Sequence, residues 1–333
     1  KAGLIETVGS GEPRIDFKDD AKGALLLEPT RRNLISYSED FSNSSWLKVG
    51  GAITSNIGVS PDGGLNADRF YIANAVANTR LYISYTFSSS TYTLSVYAKN
   101  NGSTDSFRFS YYDGVSQEFS NDFSLTNEWQ RFTHTFTAAA GAGAGVVWIA
   151  TTSSIGVGSE LDIQIYGAQL EQGSYATSYI PNFGNSAGAT RVFDTMPTYL
   201  DITPLNIGNS YTLFLDADLN VNDNNKVFGA INNSIGGLSF TIRNNVGGIR
   251  LYNHIDASYP ISGITSSNNK FVIRIDGNSY KVFVQGSNLS GTLTTQRDLG
   301  SLNFNGQLTE LKINNFTIDN TALSDAECEA LVN

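Results

Sequence analysis

The chain has 333 residues, room for two ordinary domains. Forty per cent of the residues are hydrophobic and 11% aromatic, which supplies ample core material and excludes a disordered chain. A formal net charge of −10 repels phosphate backbones and anionic headgroups, so neither a nucleic-acid partner nor docking on anionic lipid is expected.

Thirty-two glycines, many Ser, Thr and Asn, and only 16% charged residues suit an all-β protein with many turns. The single cysteine, Cys328, rules out an intramolecular disulfide. No apolar run approaches the roughly 20 residues of a membrane span, so no membrane insertion is expected. No leader peptide is visible, and a start at Lys1 instead of methionine fits a fragment of a longer protein.

In chain order, residues 1–32 read as a lead-in segment that packs on a first sandwich, which occupies 33–186. Within it, "RLYISYTF" (80–87), "TYTLSVYAK" (91–99), "FRFSYYDG" (107–114), "WQRFTHTFT" (129–137), "VVWIATT" (146–152) and "LDIQIYGAQL" (161–170) alternate apolar and polar residues. Period two with aromatic and β-branched residues predicts half-buried strands. Asp113-Gly114 and Asn101-Gly102 supply turns, and "AAAGAGAG" (138–145) reads as a loop tip. A linker follows at 187–199, with Gly, Ser and Pro and weak periodicity.

The second sandwich, 200–333, is predicted from "YTLFLDADL" (211–219), "KVFGAI" (226–231), "GLSFTIR" (237–243), "GIRLYN" (248–253), "KFVIRIDGNSYKVFVQG" (270–286) and "LTELKINNFTI" (308–318). Asp276-Gly277-Asn278 marks a hairpin. The tail alone reads as helix: Ser324 and Glu327 have capping-box spacing, Leu323 stands at the staple position, and Cys328 shares a face with Leu331, as a small buried apolar group would. The fold class expected is therefore all-β, two tandem jelly-roll sandwiches with a short C-terminal helix.

Catalytic chemistry is sparse. His134 has the place of a half-exposed strand residue and His254 lies near a strand end. No nucleophile elbow, zinc-protease motif or phosphate loop is present. Paired acids could hydrolyse glycosides, and Glu39, Asp40, Asp162 and Glu171 exist, but acids are common on an acidic surface. No enzymatic activity is expected. Sugar binding needs aromatic faces beside amide or guanidinium groups. With Leu81, Leu94, Val96, Phe109, Val147, Ile149, Ile163 and Ile165 facing the core, the opposite faces carry Tyr82, Tyr97, Arg108, Tyr112, Trp148, Gln164 and Tyr166. That set reads either as a glycan platform or as packing under another segment or subunit, and Trp148, between apolar neighbours, is the member expected to be buried. Tyr175 and Tyr179 read as anchors for the chain leaving the sandwich, with Pro181 as the stop.

Three stretches carry a family resemblance. "GEPRIDF…KGALLLEPTRRNLISYSEDFSNSSW" resembles the opening of a domain found in many bacteriophage tail and tail-fibre proteins, and "IYGAQLEQGSYATSYIP…ATR" resembles its close. That domain is similar to carbohydrate-binding-module jelly rolls. "IDGNSYKVFVQG…LTELKINNFTIDNTALSDAECEAL" resembles the end of concanavalin A-like, laminin-G-like jelly rolls. The resemblance implies a virion-associated, extracellular adhesin on a phage tail, binding host cell-surface polysaccharide beside other virion proteins, with a homotrimer expected of fibre proteins. Alternatives are a purely structural virion spacer or decoration, and the ancillary carbohydrate-binding region of a secreted bacterial glycan-active enzyme. Related jelly rolls hold a structural calcium between opening and closing strands. The opening side here offers Glu39 and Asp40, but the closing side has Gly167 and Ala168 where an acid is common. "NVNDNN" (220–225) is a second oxygen-rich stretch, read as a simple turn.

Overall fold

The computed structural model describes residues 5–9, 12, 14–17, 23–76, 79–102, 106–151, 158–194, 200–201, 208, 210–219, 226–231, 239–243, 248–252, 269–285, 287–292, 301–304 and 311–333. It divides into two compact units, one of Lys1–Thr7 and Arg31–Arg191, the other of Val8–Thr30 and Val192–Asn333. In chain order the second unit starts with β1 (Ile15–Asp16) and β2 (Ala24–Leu27). The first unit holds β3 (Arg31–Asn33), β4 (Trp46–Val49), β5 (Ala52–Gly58), β6 (Ala67–Ile72), β7 (Arg80–Thr86), β8 (Thr91–Asn100), β9 (Ser106–Phe107), β10 (Phe109–Tyr112), β11 (Gln117–Phe119), β12 (Phe123–Ser124), β13 (Gln130–Thr137), β14 (Ala144–Thr151), β15 (Leu161–Gln172) and β16 (Ala189–Arg191). The second resumes with β17 (Leu200–Asp201), β18 (Ser210–Leu219), β19 (Lys226–Ile231), β20 (Ser239–Arg243), β21 (Gly248–Tyr252), β22 (Asn269–Asp276), β23 (Ser279–Val284), β24 (Ser287–Thr292), β25 (Ser301–Phe304), β26 (Leu311–Asp319) and the helix α1 (Asp325–Val332).

The first unit is a sandwich of two antiparallel sheets. Sheet A has the order β11-β10-β14-β7-β4 and sheet B the order β13-β8-β15-β6-β5. Alternation sends Leu81, Phe109, Val147 and Ile149 inward from sheet A, and Leu94, Val96, Ile163 and Ile165 inward from sheet B. All eight are completely buried in one core. Tyr111 of sheet A stacks on Phe136 of sheet B with 3.8 Å between centroids, so the two layers are in direct contact. Each such apolar side chain contributes about 1.5–3 kcal/mol by leaving water. The run at 107–114 is not one strand: it breaks at Arg108, between β9 and β10. Three strands, β4 to β6, lie where the sequence signal was weak, because polar residues interrupt their alternation.

The second unit has a seven-stranded sheet, β1-β2-β26-β18-β22-β23-β24, and a five-stranded sheet, β17-β25-β19-β20-β21. The β22–β23 hairpin turns on Gly277 at φ 57°, beside Asn278. Helix α1 carries the capping box: the Ser324 hydroxyl accepts from Glu327 N, and the Glu327 carboxylate accepts from Ser324 N. Its inner face buries Cys328 and Val332 against Phe214, Val272 and Phe283, with Leu323 and Leu331 packed alongside.

The lead-in segment corrects the sequence reading. Residues 8–30 belong to the second unit, because β2 pairs with β26: Leu25 opposes Ile313 and Leu27 opposes Leu311. Arg14 explains the attachment. Its guanidinium is 2.5 Å from the buried carboxylate of Glu28 and also bonds Asp194. Asp194 in turn accepts from Glu28 N at 2.7 Å and donates its own N–H to Glu28 O at 2.9 Å. The quoted "PRIDF" and "LLLEP" are thus the two halves of one ion-pair staple.

Removing Arg14 takes its cation from the buried Glu28 carboxylate, at a cost of about 3 kcal/mol. Arg14→Ala should speed hydrogen exchange in β2, β18 and β26 and leave β8 and β15 unchanged. Faster exchange in β8 and β15 instead would return the segment to the first sandwich.

Candidate functional site

The outer face of sheet A is the candidate surface. Pairing register lines up Leu47, Tyr82, Trp148, Ser110 and Phe119 in a row across all five strands. Two residues along, Ser84, Val146, Tyr112 and Gln117 form the next row. Leu47, Phe119 and Tyr112 are 43%, 44% and 39% exposed, whereas Trp148 in the centre is 7% exposed. Two guanidiniums lie on the aromatic rings. The Arg80 Cζ is 5.1 Å from the Tyr82 centroid and 5.5 Å from that of Trp148. Arg108 lies 4.6 Å from the Phe119 centroid and 3.8 Å from Asp122. This surface offers flat apolar area edged by hydrogen-bond donors, which is binding chemistry.

The seven platform residues do not form one platform. Tyr82, Tyr112 and Trp148 are on sheet A, and Arg108 lies just before its strand β10. Tyr97, Gln164 and Tyr166 are on the outer face of sheet B, across the sandwich. Alternation says which side chains point outward from a strand but not which sheet that strand joins. Leu47, Arg80 and Phe119 were missed. Arg80 was findable, because it stands two residues before Tyr82 and shares its face.

The chain itself covers the sheet B group. After β15, Thr177 to Asn182 lie against this sheet's outer face. Arg131 donates to Thr177 O at 2.6 Å, the buried Glu171 accepts from Thr177 N at 3.0 Å, and Gln169 Oε1 accepts from Ile180 N at 2.6 Å. Tyr179 thereby sits 6.3 Å from Tyr97 and 5.6 Å from Tyr166, ring to ring, and Tyr166 is 1% exposed. Gln164 is engaged by Asn101, to which its Nε2 donates at 2.7 Å. The reading of Tyr179 as an anchor agrees with this arrangement. Gly167 makes it possible. It occupies a β-bulge at φ 62°, and a Cβ there would stand 3.2 Å from the Tyr179 ring. Backbone geometry therefore holds glycine where the resemblance implies an acid.

The acids named from sequence serve the fold. Asp162 is bonded by both Nε and Nη2 of Arg69 at 2.7 Å, which holds its carboxyl below the usual range. Asp40 accepts from Ser42 N and Asn43 N at 3.1 Å and closes its own turn. Glu39 turns the other way: its Oε1 accepts from Tyr166 Oη at 3.0 Å and Tyr179 Oη at 2.9 Å. Tyr166 Oη also contacts Asp62 Oδ2 at 2.9 Å, so one phenol fills the gap between two carboxylates. Glu39 and Asp40 therefore turn to different partners. Among the described residues no group of three or more His, Cys, Asp or Glu could hold a metal. His134 faces inward beside Phe136 and Tyr111, and burial lowers its pKa. His254 and residues 220–225 lie outside the described residues.

No family model and no curated protein matches the chain. Among solved structures, it is similar to the CBM22-1–GH10 modules of a Clostridium thermocellum endo-1,4-beta-D-xylanase complexed with xylohexaose: 19% identity, TM-score 0.32, 45% of this chain and 29% of that one. The chain thus spans less than a third of that protein's length. It is also similar to a tandem CBM22 domain from a Paenibacillus barcinonensis protein (10% identity, TM-score 0.34, 89% and 98% covered) and to mouse laminin alpha1 domains LG4-5 (8%, 0.26, 96% and 96%). Likenesses this weak assign no function, and the fold stands on the strand pairing and burial described above.

Burial, opposed by the two phenol donors and reinforced by Asp62, raises the Glu39 carboxyl above its ordinary 4.5. A carboxyl raised on folding favours the folded state below pH 4.5, and that contribution is lost as pH rises through the folded-state value. Glu39→Gln keeps an acceptor for both tyrosines and cannot ionise. Its melting temperature relative to the parent should therefore increase between pH 4.5 and 7; a difference independent of pH contradicts the assignment.

Proposed function

We propose that the first unit is a non-catalytic glycan-binding module, and that the chain is a phage tail or tail-fibre component adhering to host cell-surface polysaccharide. The observation carrying this reading is the row on sheet A, in which exposed Leu47 and Phe119 and half-buried Tyr82 offer apolar faces beside Arg80 and Arg108. A sugar ring laid on such a face buries its C–H surface and turns its hydroxyls to the guanidiniums. One shallow site of this kind binds weakly. Many copies on one particle, in a homotrimer beside other virion proteins, convert weak contacts into firm adhesion. The virion setting is supported by the wording of 11–46 and 165–191. The same surface would serve an ancillary region of a secreted glycan-active enzyme. The structural-spacer reading draws on the burial of Trp148 and Tyr166, which takes both rings out of direct contact with a ligand.

A glycan array with the full chain, followed by titration of the best hit, tests the proposal. Tyr82→Ala and Phe119→Ala should each weaken binding about tenfold, the equivalent of about 1.4 kcal/mol of lost stacking. Thr54→Ala, on an exposed position of sheet B, should have no effect. No binding to any glycan at high protein concentration would leave the spacer reading in place.

A further inference from the structure

Among the described residues, two donors at the sheet A surface have no acceptor. Trp148 is 7% exposed, and its indole Nε1 is enclosed without a hydrogen-bond partner. Arg80 rests on the same ring, and its Nε is also enclosed and unpartnered. Among the described residues Arg80 has only ring contacts, to Tyr82 and Trp148. An enclosed donor with no acceptor costs about 1–3 kcal/mol. The other guanidinium at this surface, Arg108, is paired with Asp122.

We infer that Arg80, seated on the Trp148 ring, forms a subsite for the carboxylate of an acidic sugar within the bound polysaccharide. This rests on the glycan-binding reading above and names its substrate class. The guanidinium fork matches a carboxylate in bidentate geometry, and the aromatic pair beneath it limits hydration and strengthens the bond. Tyr82 and Leu47 would flank the acidic ring, with Phe119 under a neighbouring neutral sugar in the same row. The overall negative charge opposes a dense polyanion, so the match is to a polymer with acids spaced between neutral sugars.

The test titrates the full chain with a hyaluronan oligosaccharide, in which every second sugar carries one carboxylate, and with the same oligosaccharide after reduction of its carboxyls to alcohols. The acid form should bind about tenfold more tightly, Arg80→Gln should abolish that preference, and Trp148→Phe should reduce it several-fold. Arg80→Lys keeps the charge but not the fork and should restore part of it. Circular dichroism of each variant separates misfolding from lost binding. Equal binding of both forms, or a preference unchanged in Arg80→Gln, overturns the subsite while the glycan-binding reading stands. Failure of either form to bind, together with an empty glycan array, overturns both.

Discussion

The first unit depends on one constraint: the two-residue repeat of a strand has to bring apolar side chains from two sheets into the same interior. Sheets A and B meet it with eight fully buried aliphatic and aromatic residues and the Tyr111–Phe136 stack. The outward side of every strand follows from the inward side. Function is therefore confined to what the leftover faces carry and to whether anything covers them.

Cover is what distinguishes the two faces. On sheet B, the chain after β15 lies back over Tyr97 and Tyr166, pinned by Arg131, Gln169 and Glu171 and fitted closely by Gly167. Those side chains satisfy backbone groups that would otherwise be buried unpaired, which is why so polar a set is internal. On sheet A the described residues leave Leu47, Tyr112 and Phe119 open to solvent around a buried centre of Trp148 and Ser110.

The inner face was legible because alternation is local: each strand reports its own buried side without reference to any other. The helix cap was legible for the same reason, since Ser324 and Glu327 are three residues apart. Sheet membership was not, because strand pairing is non-local. Tyr82 and Tyr97 look equivalent in sequence, yet β7 pairs with β14 and β8 with β15. The placement of residues 8–30 failed likewise: Arg14 finds Asp194 across 180 positions, a contact no spacing rule reaches. Gly167 looked like a missing acid until the bulge showed a left-handed backbone, with φ 62°, in which a side chain is strained and would press on Tyr179.

The proposed function rests on a row of apolar side chains edged by arginines that would hold a ligand without reacting with it. The most direct measurement is carbene footprinting of the full chain with and without a glycan that it binds. Protection should centre on Leu47, Tyr82, Tyr112 and Phe119, with Thr54 and the rest of sheet B unchanged. Protection on sheet B, or outside the first unit, with the sheet A row still labelled would contradict the account.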